Sequence, residues 1–104
     1  MLTKQEREFI ASETLRYLGG ANRLQVMIGA SQFYAGEKGE LGFKFKGNRS
    51  MNYVKFTVNG KDLYDVEFYK IVKFEMKPIK KFNDYYFDQI KELFEQTTRL
   101  YLSL

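Results

Sequence analysis

The chain contains no cysteine and no histidine. Without cysteine there is no disulfide framework, no thiolate nucleophile and no thiolate-ligated zinc. Without histidine the commonest general base and the commonest metal ligand are both missing. A Ser-His-Asp triad cannot be assembled. Tryptophan is absent too, and Pro78 is the single proline. No apolar run approaches the roughly 20 residues needed to cross a bilayer. The start, Met1-Leu2-Thr3-Lys4-Gln5-Glu6-Arg7-Glu8, is polar and mixed in charge. A signal peptide would place an apolar stretch there. These absences lead us to expect a cytoplasmic protein with no membrane anchor, no metal, no cofactor and no catalytic machinery.

What is present is aromatic and basic. Ten Phe and eight Tyr supply core volume to 104 residues, enough for one domain, residues 1–104, without covalent staples. The formal charge is +4 and it is unevenly placed. Residues 41–81 carry ten Lys or Arg against four Asp or Glu. Residues 1–40 carry five of each sign, and residues 82–104 carry two basic and four acidic side chains.

Patterning predicts helix, then strands, then helix. Thr3 and Glu6 have capping-box spacing. Phe9, Ile10, Tyr17 and Leu18 follow a helical period, with Ala11, Thr14 and Leu15 between them, and Gly19-Gly20 ends the helix. Leu24–Ile28 reads as a buried strand, and Gln32–Ala35 continues it after Gly29-Ala30. Gly36-Glu37-Lys38-Gly39 is a turn. Leu41–Lys46 alternates, with Leu41, Phe43 and Phe45 on one face and Gly42, Lys44 and Lys46 on the other. Gly47–Ser50 is a loop. Asn52–Val58 and Asp62–Tyr69 alternate on either side of Asn59-Gly60, a pair that signals a tight hairpin. Lys70–Lys77 alternates again, and its charges and Pro78 mark an edge strand. Asn83 or Asp84 caps a last helix, with Phe87, Ile90, Leu93, Phe94, Thr97 and Tyr101 as its buried stripe. The expected fold is α+β: a mostly antiparallel sheet of four to six strands, flanked by an N-terminal and a C-terminal helix on one face.

Three patterns bear on chemistry. Gly19-Gly20-Ala21-Asn22-Arg23 has a phosphate-loop composition, but such loops run from strand into helix. Here a helix precedes it and a strand is expected after it, so it reads as a C-cap and turn. Asp62, Asp65 and Glu67 are clustered carboxylates, and Asp65 and Glu67 share a strand face. With no third ligand at a recognisable spacing, they read as partners of Lys55 or Lys73 across the hairpin. Finally, Lys44, Lys46, Lys55, Lys73 and Lys77 lie on outward strand faces, with Arg49, Lys61, Lys80 and Lys81 on loops beside them and Tyr53 and Tyr69 among them. Cations interleaved with exposed aromatics suit single-stranded nucleic acid, through charge along the backbone and flat faces for bases. The same residues also fit a solvated sheet face guarded by lysines. Lysine outnumbers arginine, so the bidentate fork that reads bases is scarce.

Leu18–Ala30, Asn52–Val58 with Asp62–Phe68, and Asp88-Gln89 with Leu100–Leu104 together resemble a family of small proteins encoded by bacteriophages, prophages and other bacterial mobile elements. The resemblance implies a compact cytoplasmic accessory protein in a bacterial host and carries no activity. Two functions are therefore expected from different classes. The first is binding of single-stranded nucleic acid through a basic sheet face made of Lys44, Lys46, Arg49, Tyr53, Lys55 and Lys73. The alternative is a protein-interaction module that engages an acidic partner.

Overall fold

The computed structural model describes residues 2–102; Met1, Ser103 and Leu104, which belong to the polar start and the last resembling stretch, lie outside the described residues. The element order is α1 (Lys4–Leu18), α2 (Ala21–Ile28), β1 (Ser31–Ala35), β2 (Glu40–Lys44), β3 (Tyr53–Val58), β4 (Tyr64–Val72), β5 (Glu75–Tyr85) and α3 (Ile90–Thr98). The five strands form an antiparallel meander in chain order, β1-β2-β3-β4-β5. Each strand pairs with its sequence neighbour, so short connections suffice. The fold is α+β, with helices at both ends of the chain.

Alternation in the central strands decides which face is covered. Leu41, Phe43, Val54, Phe56, Tyr64, Val66 and Phe68 are all buried, whereas their strand neighbours Lys44, Tyr53, Lys55, Asp65, Glu67 and Tyr69 are half-buried. Phe94 of α3 sits against three phenylalanines, with ring centroids 5.1 Å from Phe45 just past β2, 6.0 Å from Phe68 and 6.4 Å from Phe43. Burying a ring of this size contributes about 2–3 kcal/mol. Helix α1 packs over β2 and beside α3, and buries Ala11, Thr14 and Leu18. Its capping box is formed: the Glu6 amide donates to Thr3 Oγ1 at 3.1 Å, and the Thr3 amide donates to Glu6 Oε1 at 3.0 Å. Phe9, which follows the helical period of the apolar residues, is 66% exposed.

Four local expectations change. Residues 24–28 are helical, not extended. Leu24 and Ile28, four apart, are buried, while Val26 is 83% exposed. A strand would have buried Val26 with them. Short apolar runs fit either period, and here Gly20 and Gly29 delimit a two-turn helix. The Gly19-Gly20 turn thus joins two helices, and no strand feeds it.

The second change is at Asn59-Gly60. The loop spans residues 59–63, closed by Asn59 N donating to Leu63 O at 2.7 Å and Asp62 N donating to Asn59 O at 3.1 Å. Val58 pairs with Tyr64, not with Lys61. Asp62, with φ 61°, takes the left-handed position, and Gly60 does not have positive φ.

The third change is in residues 70–77, which are two strands and a turn. Lys73 and Phe74 have φ of 49° and 74°, and Val72 pairs with Glu75 across them. A two-residue loop with positive φ at both positions is a type I′ turn. Usually Asn or Gly marks such a turn, and neither is present. Pro78 lies in β5, an edge strand with no partner on its outer side, which is where proline is tolerated.

The fourth change is the start of the last helix. It begins at Ile90, behind Gln89, because β5 continues through Asn83 and Asp84. Its buried residues are Ile90, Leu93, Phe94 and Thr98, and Phe87 and Tyr101 are exposed.

Candidate nucleic-acid interface

The uncovered face of the sheet is a tyrosine and ion-pair lattice. Tyr53 and Tyr69 face each other across β3 and β4, with centroids 6.1 Å apart and edge-to-face packing. Tyr53 lies across Gly42, where a Cβ would collide with its hydroxyl. The missing side chain on β2 is what lets the ring lie flat on the strand. Lys55 Nζ sits 3.6 Å from Glu67 Oε1 and 5.7 Å from the centroid of the Tyr69 ring. Tyr69 Oη donates to Glu67 Oε2 at 2.7 Å. Burial, and then that bond to Glu67, push the Tyr69 hydroxyl far above its ordinary pKa. Burial also raises Tyr53. Neither tyrosine ionises near neutral pH.

The carboxylates are committed as well. Asp65 Oδ1 accepts from Asn59 Nδ2 at 3.0 Å and from the Asp84 amide at 3.2 Å. Glu67 takes Lys55 as its partner, one of the two expected, and Lys73 lies elsewhere. Among the described residues, no group of three or more acidic side chains is placed to hold a metal ion.

By register, the outer face carries Lys44, Lys55 and Lys81 together with Glu40, Asp65 and Glu67. Three charges of each sign make a balanced surface. The excess positive charge lies along another direction. An antiparallel meander returns alternate connections to the same end of the sheet. The turn at 36–39 and the loop at 59–63 share one end, where Glu37, Asp62 and Asp84 mix with Lys38 and Lys61. The loop at 45–52 and the β4–β5 turn share the other, where Lys44, Lys46, Arg49, Lys70, Lys73 and Lys77 gather.

Of the six residues expected on the face, Lys44, Tyr53 and Lys55 are brought together on it. Lys46 lies just past β2, its backbone N–H bonded to the Ile28 carbonyl at 2.8 Å and its stem against Gly29. Arg49 is exposed on the loop between β2 and β3. Lys73 is at the tip of the β4–β5 hairpin, not on a strand face.

That hairpin is the feature which sequence reasoning missed. β3 pairs with β4 only as far as Tyr69, so the pairs Lys70–Lys77, Ile71–Met76 and Val72–Glu75 run on as a two-stranded arm. Every residue from 72 to 81 is exposed. Residues 70–81 contain five lysines and one glutamate, a balance of +4, and the remainder of the chain holds twelve charges of each sign. The entire net charge therefore resides in the arm and the strand leading from it. Among the described residues, none of these five lysines forms an ion pair. Lys73, Lys77, Lys80 and Lys81 already stand out in the sequence as part of the basic cluster, but reading residues 70–77 as one strand hides the reversal that makes them an arm.

No helix among the described residues is long and apolar enough to cross a membrane. No protein-family model, no curated protein and no solved structure matches the chain.

Proposed function

We propose that this chain is a non-enzymatic, cytoplasmic nucleic-acid-binding protein, an accessory factor of the phage-like kind that its sequence resembles. The observation that carries the reading is the run of five lysines against one glutamate over residues 70–81, the arm and the strand leading from it, with none of these lysines in an ion pair among the described residues. Lys44, Lys46 and Arg49 at the same end of the sheet extend the cationic surface. Lysines without acidic partners neutralise phosphates and release condensed counterions, which is the main source of affinity in sequence-independent binding. The tyrosine lattice beside them is a secondary surface, because Tyr53 and Tyr69 are packed on each other and Lys55 is held by Glu67.

The test is a salt titration with single-stranded and duplex DNA. The slope of log affinity against log salt is about −0.9 per phosphate contacted in duplex and about −0.7 in single strands. Replacing Lys73, Lys77 and Lys80 together with Glu should weaken binding strongly and reduce the slope by roughly 3, with little change in Tm. No binding at low salt would overturn the proposal. Replacing Lys55 with Glu is unsuitable for this test, since it sets two carboxylates opposite each other at Glu67.

A second reading is favoured by the unpaired outer edge of β5. An acidic extended segment of a protein partner could add to that edge as a strand. Pro78 and the register shifts along β4–β5 interrupt the edge, so this reading ranks second. Binding of an acidic peptide in preference to DNA would put it first.

A further inference from the structure

Phe74 has the most exposed apolar side chain described in the protein, with a relative exposure of 104%. It occupies the second central position of the β4–β5 turn with φ 74°. Glycine or asparagine is preferred there, because a large side chain in the left-handed region is strained. Strain and an uncovered ring thus fall on one residue, and glycine would relieve both. The ring contributes nothing to the core, whose last member along β4 is Phe68. Lys73 and Glu75 flank it in the chain, and Lys70 pairs with Lys77 two rungs further along the arm. Residues 70–81 contain no Arg, Asn or Gln, the side chains that read base edges through paired hydrogen bonds. The arm offers point charges and an apolar tip. Those are the components of recognition by backbone contact and deformability, in which an apolar wedge partly unstacks a base step from the minor groove.

We infer that Phe74 is such a wedge: the arm lies along the minor groove of duplex DNA, its lysines hold phosphates on either side, and the Phe74 ring enters between two base pairs and bends the duplex. This rests on the nucleic-acid reading above. It adds that the ligand is duplex and that the protein selects flexible steps over a base sequence.

The experiment uses the full chain and a short duplex with a central 2-aminopurine and a donor–acceptor dye pair at its ends. The native protein should raise 2-aminopurine emission and shorten the end-to-end distance. Phe74→Gly should lose both signals, keep salt-dependent binding, and melt at or above the native temperature because the turn is relieved. Phe74→Trp places a single tryptophan in a chain that has none; its emission should be quenched by the duplex. Duplex binding without unstacking or bending, or bending that survives in Phe74→Gly, overturns the wedge and leaves phosphate binding standing. No nucleic-acid binding at low salt overturns both. A blue shift of the indole emission of Phe74→Trp on anionic phospholipid vesicles, with no response to duplex, also overturns the wedge and identifies the tip as a lipid-surface anchor.

Discussion

The carboxamide of Asn52 grips the backbone of Ile71 from both sides. The Ile71 N–H donates to Asn52 Oδ1 at 2.7 Å, and Asn52 Nδ2 donates to the Ile71 carbonyl at 3.2 Å. The side chain acts as an extra peptide group and carries the β3–β4 ladder one step past Tyr53. It therefore anchors the base of the arm. Asn52→Ala should cost about 1–3 kcal/mol, because both Ile71 groups lose their partner at a half-buried position. Amide exchange at Ile71 should accelerate more than exchange at Val66 in the sheet centre. Equal acceleration at both amides would mean that the anchor has no local role.

The β3–β4 loop yields a prediction opposite to the one that Asn59-Gly60 first invites. Gly60 does not have positive φ, and a Cβ there meets nothing within 4 Å. Gly60→Ala should stabilise the protein by about 0.4–1 kcal/mol through the unfolded chain. Asp62 carries the left-handed conformation, so Asp62→Val should be the destabilising change. Thermal melts of the two variants, moving in opposite directions, check the assignment.

Thr14 and Tyr64 join α1 to the sheet through a buried contact of 2.8 Å between hydroxyl oxygens. Thr14 Oγ1 also donates to the Ile10 carbonyl at 2.9 Å. Its single proton is thereby used, and the Tyr64 hydroxyl is the donor in the pair. Removing one partner is then unequal to removing the other. Tyr64→Phe leaves Thr14 satisfied and should cost about 0.5–1.5 kcal/mol. Thr14→Val strands the Tyr64 hydroxyl in the core and should cost about 1–3 kcal/mol. Denaturant midpoints that rank the pair the other way would show that Thr14 donates its proton to Tyr64 and not to Ile10.

Tyr69 sets an alkaline limit on stability. Burial and the bond donated to Glu67 raise its folded pKa above the ordinary value of 10.0. A group raised in the folded state contributes stability that is fully present below its unfolded pKa. That stability declines as pH rises above about 10 toward the folded value. Tyr69→Phe should lower stability at neutral pH and flatten its decline above pH 10. Ultraviolet titration of the native protein should show Tyr69 among the last tyrosines to ionise. An unchanged alkaline slope in Tyr69→Phe would remove the coupling to Glu67.

Much of the fold was legible because alternation is a strong signal where one sheet face is buried. The strand phases of Leu41–Phe45, Val54–Val58 and Tyr64–Phe68 and the Thr3 capping box all follow from period and cap chemistry. The Lys55–Glu67 pair was among the expected partners, and spacing alone placed it across the hairpin. The failures occurred where local chemistry permits two answers. Residues 24–28 are apolar enough for either period. Residues 73–74 lack the Asn or Gly that normally marks a turn, so strand alternation ran through them.

By itself the sequence determined which side chains of the central strands face the core, and that Cys- and His-dependent chemistry is excluded. Those properties depend on residue type and short-range period, which a linear chain carries explicitly. Tertiary structure alone decided where the charge goes. Lysines that alternate along one strand would form a basic face; folded back at Lys73-Phe74, they form a basic arm. The balanced Lys, Asp and Glu residues of four neighbouring strands cancel on the face between them. The direction of chain reversal at one turn separates these outcomes. It is set by two backbone angles stabilised by ladder hydrogen bonds between β4 and β5 and by the Asn52 clamp at their base.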